Sequence, residues 1–227
     1  EVNLGDNTEE NLTVENLEVG NYTFILTVSD DTQSHSDEVF VTVNPVSEAE
    51  GVIKKTGQIK SYNEFSVEIL DGSVKDDGYY KDLYGKARQY TRSVEGVVTD
   101  HVTGLQWQDD TQVASVTKPW VAQANYDAGN YFDTSGDTAT TYCENLDLDG
   151  GNWRLPTRTE LQSIADYGRF EPAIDPEFEN IASNHYWTFT SMASYNDSAW
   201  VVSFTQGHLF TQSKFQFMYV RCVRAED

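Results

Sequence analysis

Apolar and polar residues alternate with period two near both ends of the chain and take a helical period in the middle. Tyr22, Phe24, Leu26 and Val28 fall on one face of a run, and Val39, Val41 and Val43 on one face of the next. The polar stretch Asp30-Asp31-Thr32-Gln33-Ser34 between them predicts a β-hairpin in a half-buried sheet, and Leu12 with Val14 predicts another short strand. Residues 53–96 read as irregular loops with short strands. Val97-Val98-Thr99-Asp100 and Leu105-Gln106-Trp107-Gln108 flank a Gly-containing turn, a second hairpin. Ala139, Tyr142, Cys143 and Leu146 recur at i, i+3, i+4 and i+7, which predicts a helix over Asp137–Leu146 capped by Asp137. A second helix starts at the capping-box string Thr157-Arg158-Thr159-Glu160 and buries Leu161, Ile164 and Ala165. The chain then reads as strands at Tyr186–Ser191, Ala199–Phe204, Leu209–Lys214 and Phe217–Arg224, with the turn Thr205-Gln206-Gly207-His208 joining the middle pair. Two helices followed by an antiparallel meander predict an α+β domain, preceded by an all-β segment.

Charge sharpens the division. Residues 1–53 hold no Lys or Arg, while Lys54 and Lys55 open a mixed-charge region. With Pro45 and the acidic Ser47-Glu48-Ala49-Glu50-Gly51, this predicts a β segment over 1–45, a linker over 46–52 and a main domain over 53–227. A formal net charge of −22, from 37 acidic and 15 basic side chains, argues against nucleic acid and against anionic membranes as partners. Such a charge serves solubility in salty surroundings, or some carboxylates hold Ca²⁺, a hard ion that takes oxygen ligands. No apolar run approaches the ~18 residues of a membrane span, so no direct membrane insertion is expected. The sequence opens at Glu1 instead of Met, and an upstream piece is expected.

The candidate chemistry is sparse. His35, His101, His185 and His208 are scattered, and neither a Gly-x-Ser-x-Gly elbow nor a phosphate-cradling glycine loop occurs, which argues against an enzyme. Cofactors reduce to Ca²⁺. Asp147-Leu148-Asp149-Gly150-Gly151-Asn152 spaces Asp147, Asp149 and Asn152 around a tight turn, and Asp133 and Asp137 form a second candidate. The same stretches also read as a helix-ending turn and a helix cap. Cys143 and Cys222 lack C-x-x-C spacing, and the residues alone leave one disulfide and two buried thiols both open. Tyr195, Asn196, His208, Phe210, Gln212, Phe215, Gln216, Phe217 and Tyr219 mix aromatics with amides on the last strands and their loops, a composition suited to sugar stacking or protein contact.

Five ordered strings carry a family resemblance: Val98-Thr99-Asp100-His101-Val102-Thr103-Gly104-Leu105-Gln106-Trp107, Trp153-Arg154-Leu155-Pro156-Thr157-Arg158-Thr159-Glu160-Leu161, Tyr186-Trp187-Thr188, Ala199-Trp200-Val201-Val202-Ser203-Phe204 and Val220-Arg221-Cys222-Val223-Arg224. With Thr56-Gly57-Gln58 and Asp76-Asp77-Gly78 ahead of them, they resemble the bacterial collagen-like adhesin C-terminal domain over roughly 53–224. The resemblance implies a C-type-lectin-like fold, a disulfide from Cys143 on a helix to Cys222 on the last strand, and a secreted or cell-surface location. A bridge over that span is worth roughly 3–5 kcal/mol. Trp107, Trp153, Trp187 and Trp200 are then expected in the core, with Arg154 as an internal brace. Formylglycine-generating enzymes share the broad fold but use two active-site cysteines, which the disulfide would claim here. Tyr195-Asn196-Asp197 resembles the Trp-Asn-Asp triplet of true C-type lectins, without its flanking Cys or a Glu-Pro-Asn partner.

Leu17-Glu18-Val19-Gly20-Asn21-Tyr22-Thr23-Phe24 and Leu26-Thr27-Val28-Ser29-Asp30 resemble the last strands of a polycystic-kidney-disease-type immunoglobulin-like repeat, with Tyr22 at the tyrosine corner. Such a sandwich needs about seven strands, so an upstream half or another chain is expected to complete it. The function expected is a non-catalytic adhesion module that binds a glycan or protein ligand. The alternative is a structural subunit of an extracellular filament or layer, in contact with neighbouring copies through strands.

Overall fold

The computed structural model describes residues 20–30, 32–43, 54–65, 67–70, 72–83 and 85–225, and for 20, 21, 42 and 43 the backbone alone. The strand expected at Leu12 and Val14 and the linker 46–52 lie outside the described residues. The chain divides into two units, with the boundary after Glu50.

In the first unit, β1 (Gly20–Ser29) and β2 (Ser34–Val43) pair antiparallel from Gly20↔Val43 to Ser29↔Ser34. The turn is fixed by Asp30, whose Oδ1 accepts from Thr32 N and Gln33 N, both at 2.8 Å. Tyr22, assigned to a tyrosine corner, lies opposite Val41 with its ring 6.5 Å from that of Phe24. The alternation is as expected but the half-burial is not. Leu26 on one face is 69% exposed and Phe40 on the other 74%. Among the described residues of this unit, these two strands meet no opposing layer on either face.

The second unit is mostly β, with three short helices among the described residues where two were expected. β3 (Ser61–Tyr62) pairs with β4 (Glu68–Ile69). One sheet runs β13 (Val223–Ala225), β7 (Leu105–Gln108), β6 (Val97–Asp100), β5 (Tyr90–Arg92), all antiparallel. The other runs β11 (Leu209–Ser213), β10 (Tyr195–Ser203), β9 (His185–Met192), β12 (Met218–Tyr219), β8 (Thr117–Lys118), antiparallel except for β12 with β9. The helices are α1 (Gln123–Asp127), α2 (Ala139–Glu144) and α3 (Arg158–Ser163).

Neighbouring residues serve two separate cores. Val97, Trp187, Val201 and Cys222 belong to one, while Val98, Tyr186, Val202 and Val223 belong to the other. The first core also holds Trp120 and Trp153, and the second Trp107, Leu161, Ile164 and Phe204. Cys143 and Cys222 are joined by a disulfide in the first core, the pairing that the family resemblance implied.

Several local expectations are corrected. α2 is capped by Thr138, not Asp137: Thr138 Oγ1 accepts from Thr141 N at 3.3 Å, Thr141 Oγ1 accepts from Thr138 N at 3.1 Å, and Asp137 turns out to Lys118. The capping box of Thr157 and Glu160 on α3 is present. α1 escaped notice because it buries none of its residues and so shows no stripe. The single strand expected over Phe217–Arg224 is two strands in different sheets, because Arg221 and Cys222 are pinned between them. Trp200 is half-buried beneath the Arg158 guanidinium, 5.0 Å from the ring centre. Arg154 braces from outside, donating Nη2 to Glu160 at 2.6 Å with its side chain 47% exposed.

The internal brace is Arg221. Fully buried, it donates to Gln108 O at 2.8 Å, Asp109 Oδ1 at 3.0 Å and Asn180 O at 2.6 Å. Buried Asp109 also accepts from Arg92 Nε at 2.7 Å, Glu179 N at 3.0 Å and Asn180 N at 3.2 Å. Removing one partner of such a pair leaves an uncompensated charge, at a cost of about 3–5 kcal/mol. Asp109→Ala is therefore expected to lower unfolding free energy by that amount, against about 1 kcal/mol or less for Arg154→Ala. Urea unfolding of both variants checks the ranking, and equal losses would contradict it.

Candidate functional site

At one end of the second sheet, four segments meet around Lys214. The residue follows β11, where a lysine at a strand end would ordinarily reach solvent; here it is fully buried. Its backbone N donates to Asp197 O at 2.9 Å, and its carbonyl accepts from Trp120 N at 2.8 Å and Val121 N at 3.0 Å. These bonds turn the side chain inward. Nζ donates to Tyr131 O at 2.9 Å and Asn196 O at 2.8 Å. The ammonium also sits 4.2 Å from the Trp120 ring centre and 4.0 Å from that of Phe132, a cation held by two π faces. Burial lowers its pKa to about 8, with the Asp197 charge pulling the other way.

Around this ammonium the surface is aromatic. Phe132 covers it, and Phe189 lies 6.0 Å from Trp120; both are exposed, as is Tyr195 next to Asn196. Tyr126 backs the site, its hydroxyl 2.7 Å from Ser213 Oγ and its ring 4.8 Å from Phe215 and 5.1 Å from Tyr131. The arrangement offers apolar ring faces and backbone polar groups around the Lys214 ammonium.

The nine residues singled out as ligand contacts do not form one patch. Tyr195, Asn196 and Phe215 are at the Lys214 end. His208 and Phe210 are at the other end of β10 and β11, where Phe210 meets His185 at 5.4 Å and His208 at 6.0 Å. Burial lowers the His185 pKa. Gln212 lies along β11 opposite Ala199, Tyr219 packs on Tyr186 at 5.4 Å, Gln216 closes a turn onto Ser213 O, and Phe217 is exposed. Strand alternation placed their types on the surface but could not say which end each would reach. Lys214, Trp120 and Phe132 were missed. The clue available was a lone Lys within an aromatic-rich run, which is weak.

Two of the calcium candidates, Asp149 and Asp137, are paired with the chain's own cations. Asp149 and Asn152 take positive φ (46° and 63°) in a turn built around Arg224. Arg224 donates to Asp149 Oδ2 at 2.8 Å, to Gly151 O at 3.0 Å and to Asp149 O, while its guanidinium lies 4.5 Å from the Trp153 ring centre. Asp147 is exposed. Asp133 accepts from Ser135 N at 3.0 Å, and hydrogen bonds from the Ser135 side chain and backbone lower its pKa. Asp137 pairs with Lys118 at 2.5 Å. Among the described residues no three of His, Cys, Asp and Glu come together as a metal site.

Compared with known protein families, residues 96–224, more than half of the chain, match the Lcl C-terminal domain. The chain belongs to that family. Residues 1–43 match the K319L-like PKD domain. No curated protein matches the chain. The Lcl C-terminal domain and the PKD domain are adhesin-like and immunoglobulin-like modules of extracellular surface proteins, non-catalytic in kind. Among the described residues no helix is long and apolar enough to cross a membrane. In this Lcl C-terminal domain the matched region carries both cores, the disulfide and the Lys214 site.

The lowered Lys214 pKa has a defined sign in stability. An unfolded lysine titrates near 10.4, so between about 8 and that value the unfolded state binds more protons than the folded one. Unfolding free energy then rises with pH. Wild type should gain on Lys214→Met as pH climbs through this window. Denaturant unfolding at stepped pH measures the difference, and a flat difference would count against a depressed pKa.

Proposed function

We propose that the chain is an extracellular adhesion module whose C-type-lectin-like domain, residues 53–227, binds a surface glycan or protein through the Lys214 end of its second sheet. In this reading residues 1–45 are a partial immunoglobulin-like segment and 46–52 a linker. The supporting observation is the set of exposed rings Phe132, Phe189 and Tyr195 near a buried ammonium that Phe132 and Trp120 enclose. Rigid aromatic rings with nearby polar groups bind at low entropic cost. Lectin-like architecture is supported by the helix-to-C-terminus disulfide and by the terminal strand β13 returning to pair with β7. Of the carboxylates considered for Ca²⁺, Asp149 is paired with Arg224 and Asp137 with Lys118, which favours recognition by aromatic and amide groups.

The test is binding of the full chain to arrayed host-surface glycans and immobilised extracellular proteins. Tyr195→Ala and Phe132→Ala are expected to weaken whichever ligand is found by roughly tenfold each, the scale of a lost aromatic contact. Retention of full binding by both variants would sink the assignment of this surface.

A second reading, assembly with neighbouring copies, is favoured by the hairpin β1–β2, which exposes Ile25 and Phe40 on one face and Leu26, Val28 and Val39 on the other. Exposed strand faces and edges are templates for addition. On this reading sedimentation shows concentration-dependent association that Phe40→Asp reduces; a monomer at every concentration rejects it.

A further inference from the structure

A groove of about 470 Å³ lies between residues 58–62 and 167–170, away from every residue used so far in the binding argument. Its walls are tied together at the backbone. Tyr167 N donates to Thr56 O at 2.9 Å. Arg88 staples the same two segments, donating to Thr56 O at 3.2 Å and Ala165 O at 2.5 Å. The approach is so close that a side chain at Gly168 would come within 2.3 Å of Gly57 O, and one at Gly57 within 1.9 Å of Asp166 Oδ1. Gly57, at φ +92°, and Gly168 are therefore required where they stand. This accounts for Thr56-Gly57-Gln58, a motif for which the Lys214 site has no use.

Three aromatic side chains flank the groove: Tyr62, Tyr167 and Phe170. Tyr167 is pre-set. Its hydroxyl accepts from Gln162 Nε2 at 3.2 Å, and its ring edge rests where a side chain at position 207 would be only 3.1 Å away, a space that Gly207 leaves open. Phe170 is 76% exposed and Tyr62 47%, an unusual outlay of aromatic surface for a segment held this firmly. Gln58, Lys60 and Arg169 line the groove with them. Gln58 gives its Nε2 to Lys60 O at 2.9 Å and Asp76 Oδ2 at 2.8 Å, which leaves Oε1 as an acceptor. The two cations carry no surplus charge, because Lys60 pairs with Glu68 at 2.8 Å and Arg169 faces Asp166 at 3.7 Å.

Flat apolar faces, fixed amide and hydroxyl groups, and balanced charge match a ligand with an apolar C–H face, a hydroxyl rim and no net charge. We propose that this groove is a carbohydrate-binding site for a neutral pyranose, with Tyr167 and Phe170 stacking on the sugar and Gln58 and Tyr62 bonding its hydroxyls. Its volume suits one or two sugar rings, within the ~300–1,000 Å³ usual for ligand sites. An anionic polysaccharide is disfavoured by the paired cations and by the net charge of −22.

The experiment titrates the full chain with neutral oligomers of glucose, galactose, mannose and N-acetylglucosamine, beside a sulfated and a carboxylated polysaccharide. Phe170→Ala and Tyr62→Ala change exposed side chains, so folding should survive and is checked by unchanged melting. The expected result is binding of a neutral oligomer, weakened roughly tenfold by each variant and untouched by Tyr195→Ala. Binding lost in Tyr195→Ala but kept in Phe170→Ala and Tyr62→Ala would overturn the groove and leave the Lys214 surface standing. No binding of any neutral oligomer, or binding of the anionic polymers alone, would also overturn it.

Discussion

The fold of the larger unit depends on one buried carboxylate. Asp109 sits just past β7 and accepts from two guanidiniums and two backbone amides. Through them it joins the β5–β6–β7–β13 sheet to residues 178–180 and to the chain between β12 and β13. A carboxylate out of water is tolerated only when its lone pairs are filled. All these segments must therefore arrive together or the charge is stranded. The disulfide acts on the residue after Arg221, so covalent and electrostatic ties converge on one short stretch that changes sheet.

The same economy governs the other cations. Lys54 is buried against Asp100 at 2.5 Å, Lys214 against carbonyls and rings, and Arg224 fills the turn at Asp149. An acidic chain that spends its few positive charges on internal ties presents a surface still poorer in cations than its composition indicates. This is why two of the carboxylates that looked like metal ligands, Asp149 and Asp137, are already paired with cations of the chain.

Much of the secondary structure was legible because hydrophobic period is a local property. The hairpins at β1–β2, β6–β7 and β10–β11 and the start of α3 follow from alternation and capping chemistry that each segment carries in itself. What failed was non-local. Phe217–Arg224 alternates like one strand, yet Asp109 and Cys143, far away in sequence, break it in two. Asp137 and Thr138 are both good caps, and Lys118 decides between them by claiming the former. Lys214 was read only as the end of a strand, because nothing near it in sequence reveals the Trp120 and Phe132 rings that enclose it. The groove at Tyr167 stayed hidden for the same reason, since its walls come from segments more than a hundred residues apart.

The division of Val97 from Val98, Tyr186 from Trp187, Val201 from Val202 and Cys222 from Val223 has a consequence for descent. A strand read from both sides cannot slip. Inserting or deleting one residue would exchange every inward partner on it, sending a tryptophan into the space of a tyrosine and a cysteine away from its mate. Such strands can drift by substitution but not by change of length. Lineages that inherit this architecture must do their experimenting in the connections, where residues can be gained or lost without either interior registering the change.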